Sequence, residues 1–489
     1  MTDKVKLYWV YGISIAFIAL NIVLILNEFY WSLLLPLVVV VLLMYIFALD
    51  KLLLLITFLT PLAVVMRNMD VGLGVSLPTE PLMFGVLVIF FLKIFSGFRY
   101  DKKALTHPIS IAIFVSLSWL LITSFTSEML IVSIKFFLSR LWFVVPFFFV
   151  GIILFKKFDN IKKFIWLYVI SLVGVIFYTL INHSQYGFDE ETGHWVMTPF
   201  YNDHTAYGAV LAMFIPVILG FSLNKNSTRS HRIIAFSVFV LLIVAVIFSY
   251  SRAAWVSLVF ALGVFILIRL KVKFSWIAAA FVILVIMFFS FQHQIIDTLE
   301  RNEQDSSTDF VEHIKSIYNI SSDASNLERI NRWQAAIRMF NERPFLGWGP
   351  GTYQFLYAPF QRSKEKTIIS TNAGDLGNAH SEYIGPMAEQ GVLGLITVLL
   401  IIIYSVITAL KIYKKSVDQE VRLISMLMLM GLITYFVHGL LNNFLDTDKA
   451  SVPVWGFLAI IVALDIYHTR ESKESKESIE TKELPEISK

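Results

Sequence analysis

Long apolar segments alternate with short polar ones along most of the chain. A helix needs about 20 apolar residues to cross the hydrocarbon core of a bilayer, and fourteen blocks come near that length. Seven predicted spans fall at about 7–26, 29–49, 52–66, 81–95, 108–127, 136–155 and 163–181. Seven more fall at about 204–223, 233–250, 253–270, 274–291, 383–410, 422–441 and 452–468. The pattern predicts an all-α, polytopic membrane bundle of 12 to 14 helices.

Composition supports a membrane protein. Hydrophobic residues make up 57% of 489 positions and charged residues only 16%, a balance that water cannot solvate. The net charge of +4 is small, and in a membrane protein Lys and Arg set orientation rather than nucleic-acid affinity. We therefore expect lipid around the chain and no nucleic-acid partner.

Positive charge recurs in every second short loop, as expected for loops on the cytoplasmic side. The first of these loops hold Lys93, Arg99, Lys102, Lys103, Lys156, Lys157, Lys162 and Lys163. The later ones hold Lys225, Arg229, Arg232, Arg269, Lys271, Lys273, Lys411, Lys414, Lys415 and Arg422. The alternate short loops are nearly bare of positive charge. We expect both termini in the cytoplasm and a first helix that is retained, since no small-residue cleavage site follows it.

Four regions follow from this topology. Residues 1–291 carry predicted spans 1–11, and residues 383–468 carry spans 12–14. Between them, residues 292–382 form a long polar loop outside the cytoplasm, and loops of that length are usually functional or disordered. Residues 469–489 form a charged, low-complexity tail that we expect to be disordered in the cytoplasm.

The large loop contains one predicted amphipathic helix. Ile330, Trp333, Ile337 and Phe340 recur at helical spacing before Pro344. At the start of this helix, Ser325 and Glu328 have the spacing of a capping box. This part of the loop is therefore predicted to be ordered.

Several chemistries find no support. The chain has no cysteine, which excludes thiolate catalysis, thiolate metal sites and disulfides. It also lacks paired His residues at helical spacing, carboxylates clustered with His and a Walker A loop. We expect no metal and no cofactor.

Two candidate catalytic regions lie where the chain meets the outer face of the bilayer. Arg252, in SYSRAAW, joins two predicted spans with no loop to move it clear of the membrane, so it is either a site residue or an interfacial Arg that snorkels. His380, in NAHSEY, stands where the large loop re-enters the membrane, and Glu382 is nearby. A His there suits general base catalysis, or it caps the helix.

Further candidates lie in the loop and before the eighth span. Arg329 and Arg332, one turn apart, suit phosphate oxygens, although pairing with Glu328 on a solvated face is the alternative. Gly349 and Gly351 either present N–H groups to an anion or close the helix with a turn. Two neighbouring residues, Asp203 and His204, are either a site pair or a polar cap.

The predicted location limits the donor. Activated nucleotides are absent outside the cytoplasm, so a transfer reaction there needs a membrane-held, already activated donor such as a lipid diphosphate. Without a metal, Arg or Lys would have to neutralise the charge that develops on the leaving diphosphate.

Three motifs together resemble the bacterial family of O-antigen ligases and polymerases. They are PFYNDHTAYGAVLAM, SRAAW and the stretch from Arg329 to Leu395, in the order and spacing of that family. The resemblance covers about half of the chain, from the seventh span onward, and HSEY departs from the family's usual residues beside the His. It implies a metal-independent glycosyltransferase of the bacterial inner membrane, active at the periplasmic face.

By that resemblance, the donor would be a glycan on undecaprenyl diphosphate and the acceptor a glycan or a lipid anchor. Arg252 and Arg329 would hold the diphosphate, with Arg332 as a further candidate, and His380 would activate the acceptor hydroxyl, with or without Glu382. Ligase and polymerase both remain open. A lipid-linked oligosaccharide flippase is the alternative from another class, although transporters commonly show two related halves and this chain does not. An assembly protein without activity would leave Arg252 and His380 unexplained.

Overall fold

A computed structural model describes residues 3–66, 75–272, 324–366, 370 and 377–469. It divides into two compact units, residues 1–55 and 56–489. The first unit contains helices α1 (Asp3–Leu26) and α2 (Leu35–Phe47), with a 3-10 turn at Tyr30–Leu34 between them. Apolar side chains cover the outside of both helices. One polar contact ties the unit together, in which the Ser32 hydroxyl donates to Asn21 at 2.7 Å.

Helix α3 (Leu49–Leu59) links the units, and the second unit begins with a short hairpin. Strand β1 (Val64–Met66) pairs antiparallel with β2 (Val75–Leu77). The helices that follow are α4 (Thr79–Phe95), α5 (Pro108–Phe125), α6 (Leu130–Leu154), α7 (Phe158–Ser184), α8 (His204–Leu223), α9 (Arg229–Ile247) and α10 (Arg252–Arg269). The rest are α11 (Ala324–Glu342), α12 (Ile384–Lys415), α13 (Gln419–His438) and α14 (Asp448–His468). Single helical turns occur at Lys102–Leu105, Glu190–Gly193, Tyr353–Leu356, Ala358–Phe360 and Ser363–Glu365.

Within the described residues, ten helices are long and apolar enough to cross a membrane. This confirms an all-α, multi-pass membrane protein. The predicted span at 274–291 and the tail after residue 469 lie outside the described residues. The total of fourteen therefore stays a prediction, as does the sidedness of the loops.

Two local predictions are wrong. The block 52–66 is not a span, because α3 ends at Leu59, a 3-10 turn holds Pro61, and the chain then enters β1. The capping box is also wrong: Ser325 lies inside α11, and Glu328 accepts a bond from Arg332 instead. The predicted end of that helix before Pro344 is confirmed.

Helices α8, α13 and α14 form the centre of the second unit, since most of their residues are buried, whereas α9 and α10 are largely exposed. Two glycines lie where α8 and α13 approach each other closely. A Cβ at Gly220 would meet Leu427 at 2.1 Å, and one at Gly431 would meet the Met213 carbonyl at 2.8 Å. This packing fixes the ends of α8 and α13 beside each other.

A buried ion pair anchors α14 to the hairpin. Lys449 Nζ lies 3.7 Å from Asp448 and donates to the carbonyls of Thr60 and Ala63. Asp448 in turn accepts from Thr79 at 2.6 Å and from Ser76 at 3.2 Å. Buried charges are tolerated when they are paired and hydrogen-bonded in this way.

Candidate functional site

The Gly-rich turn after α11 docks against a kink in α12. Gly391, with φ of +70°, breaks the helical geometry there. The N–H of the next residue, Val392, donates to the Pro344 carbonyl at 2.8 Å. Gly349 donates to the Glu389 carbonyl at 2.8 Å. The segment 344–392 is thereby fixed at one end of the bundle, called the loop end below.

Gly349 and Gly351 both use their N–H groups inside the protein. The Gly349 N–H bonds the backbone of Glu389, and the Gly351 N–H bonds the Glu389 carboxylate. The same carboxylate accepts from the N–H of Tyr353 at 2.9 Å. This arrangement favours the alternative of a turn against a helix over an anion nest.

Arg332 is fixed by several polar contacts. Its side chain is only 11% exposed, and its Nε donates to Glu328 at 2.8 Å. Its Nη1 donates to the Asn378 carbonyl at 3.2 Å and lies 3.4 Å from His380 Nε2. The guanidinium therefore points at the segment that carries the candidate base.

His380 is held by its backbone in an unusual conformation. Its φ of +47° lies in the left-handed region, and its N–H donates to Asn378 Oδ1 at 3.0 Å. Burial, followed by the charges of Arg332 and Arg329, lowers the pKa of His380 to about 4. The imidazole is therefore neutral near pH 7 and able to accept a proton.

The Glu382 carboxylate accepts hydrogen bonds from the nearby backbone and from one hydroxyl. Its Oε1 accepts from the Tyr435 hydroxyl at 2.7 Å and from the N–H groups of Phe444 and Leu445 at 2.8 and 2.9 Å. These bonds hold the turn between α13 and α14. Its neighbour His380 faces Arg332 instead, so the two candidate catalytic side chains have different partners.

Asp203 caps α8, because its carboxylate accepts from the N–H groups of Thr205 and Ala206, each at 2.8 Å. His204 bonds the Ser249 carbonyl through Nδ1 at 2.9 Å, and its ring centroid lies 4.2 Å from that of His194. These contacts support the interpretation of Asp203 and His204 as a polar cap of α8. It does not exclude a site role, since Asp203 acts electrostatically on His380.

Arg252 opens α10, three residues after the Ser249 carbonyl that His204 bonds, and it is exposed. Arg329 is within electrostatic range of His204, His380 and His438. The packing thus gathers Arg329, Arg332, Asp203, His204 and His380 at the loop end, with Arg252 beside them. No group of three His, Asp or Glu residues suited to a metal ion occurs in the part of the chain that the structure describes.

Sequence reasoning missed His438 and Arg140. Both are ionisable residues inside apolar helices, and such residues are a functional signal. It also missed Asn378, which has no comparable signal: a short polar residue before His380 gains its role only from the fold.

Residues 237–399 match the family described as O-antigen ligase. This segment of the chain is similar to the O-antigen ligase family. The ligase domain covers about a third of the chain and includes Arg252, Arg329, Arg332 and His380, but not Asp203 or His204. No curated protein matches the chain. The family match supports a membrane glycosyltransferase-like enzyme over a flippase.

Proposed function

We propose that this protein moves a glycan from undecaprenyl diphosphate to an acceptor hydroxyl at the periplasmic face, without a metal. The contact between Arg332 and His380 carries the proposal, because it puts a fixed cation beside a neutral base. The predicted orientation, which the distribution of Lys and Arg supports, puts this site outside the cytoplasm.

In the reaction, the bond between the sugar's anomeric carbon and the diphosphate oxygen breaks, and the diphosphate leaves with the bonding electrons. The acceptor oxygen forms the new bond to the anomeric carbon, and its proton passes to His380. Arg252, Arg329 and Arg332 neutralise the charge that develops on the diphosphate. Atoms and charge balance without a further reactant.

Arg332 also controls when His380 can act. In the structure Arg332 Nη1 lies against Nε2 of His380, the nitrogen that would receive the proton. A bound diphosphate competes for the Arg332 fork, since Arg binds phosphate oxygens in bidentate fashion. Its negative charge also favours the protonated imidazole. Donor binding would thus free the base and strengthen it.

Glu382 enters the proposal as a positioning residue. Its bonds to the turn at 444–445 hold the segment that carries His380, and a direct share in proton transfer is the alternative that the sequence left open. Asp203 and His204 form the edge of the site. The acceptor decides between ligase and polymerase, since both reactions use the same donor chemistry.

The test is transfer by purified protein in proteoliposomes, with a lipid-diphosphate glycan and excess chelator. One arm supplies a second lipid-linked glycan as acceptor and the other a lipid anchor, so the product names the reaction. Movement of the donor across the bilayer without any transfer would instead indicate a flippase. We expect transfer to survive the chelator; strict dependence on added metal would overturn the mechanism.

Matched variants sharpen this test. Arg252→Ala and His380→Ala should each reduce transfer by about 100-fold or more, the range for loss of a charge-stabilising group or a general base. Arg269→Ala at the other end of α10, and His231→Ala at the start of α9, should keep wild-type activity. Equal activity in all four variants would remove both residues from the site.

A further inference from the structure

A cavity of about 380 Å³ lies beside the segment that carries His380. Asn378, Ala379, Ser381 and Glu382 line it, but His380 and the three candidate Arg residues do not. Its volume is in the range of small-molecule sites. The segment 378–382 is therefore a wall that the cavity shares with the Arg332–His380 site.

The cavity has one polar end and one apolar end. The apolar end is formed by α5, α12 and α14 through side chains such as Leu117, Ile401 and Leu458. At the polar end, the turn between α13 and α14 contributes Asn443 and Asp446. Mixed lining of this kind, with a few convergent polar groups, is typical of ligand pockets.

The residue before Asp446 is held in place by two hydrogen bonds. The preceding residue, Leu445, donates its N–H to Glu382 at 2.9 Å, and its carbonyl accepts from Arg140 at 2.8 Å. Asp446 is one of the residues that line the cavity. Burial of the Asp446 carboxyl, followed by the charge of Glu382, raises the pKa of Asp446 to about 6.

The charge in the cavity does not suit a phosphate. Glu382, Glu389 and Asp446 line it, against a single guanidinium, that of Arg140. Like charges that share a poorly solvated space repel each other, so the carboxylates of the lining would disfavour binding of a diphosphate here. The ligand of the cavity is therefore a different chemical group from that of the Arg332–His380 site.

Two residues that line the cavity each carry a buried polar atom with no hydrogen-bond partner among the described residues. One is Asn443 Oδ1, an acceptor, and the other is the indole N–H of Trp455, a donor on a side chain only 5% exposed. Unpaired polar groups are costly in such surroundings. A hydroxyl group both donates and accepts, so a ligand with several hydroxyls can satisfy Asn443, Trp455 and Asp446 together.

We propose that this cavity binds an uncharged, hydroxyl-bearing sugar of the acceptor, with Asp446 accepting from a sugar hydroxyl. This rests on the proposed transfer function and adds where the second substrate sits. The shared wall at 378–382 brings the acceptor next to His380. The two sites are adjacent, because Ala379 and Ser381, the residues on either side of His380, line the cavity.

Direct binding tests the inference without turnover. The probe is a labelled, phosphate-free oligosaccharide cleaved from the envelope polysaccharide of cells that express the protein, measured by equilibrium dialysis against the full chain in detergent. We expect Asp446→Asn to weaken binding by about tenfold or more, because a hydrogen bond to a charged group is lost. Trp455→Phe, which keeps the ring and removes the N–H, should weaken it about threefold or more.

Two controls make the outcome specific. Asp159→Asn, at an exposed position at the start of α7, and Arg252→Ala, in the donor site, should bind the oligosaccharide as wild type does. Absence of saturable binding by the wild type, or wild-type binding by both Asp446→Asn and Trp455→Phe, would overturn the inference. The proposed function fails separately, through the transfer assay.

Discussion

Arg332 Nη1 lies 3.4 Å from Nε2 of His380, so a fixed cation touches the ring nitrogen that our mechanism needs as proton acceptor. Glu328 and the Asn378 carbonyl hold Arg332 there. Without a donor, the arrangement keeps His380 neutral and its acceptor nitrogen occupied. The account therefore ties the strength of the base to the presence of the diphosphate.

The pH dependence of transfer should show this link. His380 must be neutral to accept a proton, so activity is lost as pH falls through its pKa. In kcat/KM for the donor, which reports the free enzyme, the acidic limb should fall near pH 4. In kcat, which reports the complex, the limb should move to higher pH because the diphosphate favours imidazolium. Identical limbs in the two profiles would contradict the link.

Arg332→Lys should reduce kcat by about 10- to 100-fold although the charge is kept. The guanidinium of Arg332 pairs with Glu328 and can exchange its contact with His380 for a bidentate bond to phosphate. The ammonium of a lysine cannot make that bidentate bond. Steady-state transfer kinetics would measure the change. The matched control is Lys in place of Arg343, which pairs with Glu128 at the surface and should leave kcat within about twofold. A fully active Arg332→Lys variant would argue against bidentate phosphate binding.

Gly391→Ala should disrupt the kink that receives the Gly-rich turn. Gly391 has a φ of +70°, and an added Cβ would lie 2.1 Å from the Phe345 carbonyl oxygen. We expect lower thermal stability in detergent and weaker transfer, since strain at such a position costs about 1–3 kcal/mol. Gly263→Ala, in α10 with open space around the glycine, should have no such effect. Equal melting temperatures for the two variants would show that the kink tolerates a side chain.

Lys449→Met should destabilise the second unit by about 3–5 kcal/mol, because it leaves the buried carboxylate of Asp448 without its partner. Lys411→Met removes one member of a pair whose lysine is 47% exposed, and it should cost at most about 1 kcal/mol. Thermal unfolding of the two purified variants compares them directly. A similar loss in both would mean that the buried pair contributes no more than a surface one.

The sequence indicates where the candidate site lies better than it indicates the contacts among the residues of that site. Arg252 and His380 became candidates because they are polar residues at the borders of apolar segments. Arg329 and Arg332 became candidates because they lie one turn apart on the amphipathic helix of the loop. Ten of the predicted spans were likewise found from apolar length alone. The block 52–66 failed because hydrophobicity alone does not reveal that the helix ends at Leu59 and that the chain then enters a strand.

The cavity, by contrast, could not be predicted from the sequence. Arg140 and Leu445 are 305 residues apart and meet only through the packing of α6 near α14. Glu382 stands two residues from His380, which made a shared role plausible. The left-handed backbone at His380 and the three bonds to Glu382 Oε1 give the two side chains separate partners. Contacts of this kind follow from tertiary structure alone.

Sidedness tests the central claim most directly, since the mechanism requires a site that opens away from the cytoplasm. The chain has no cysteine, so single Cys variants can be labelled without background. Ser363, in the loop after α11, and Asn226, between α8 and α9, are both exposed, and the predicted topology puts them on opposite faces. In intact spheroplasts, a membrane-impermeant thiol reagent should label Ser363→Cys at once and Asn226→Cys only after lysis. Labelling in the reverse order would contradict the account.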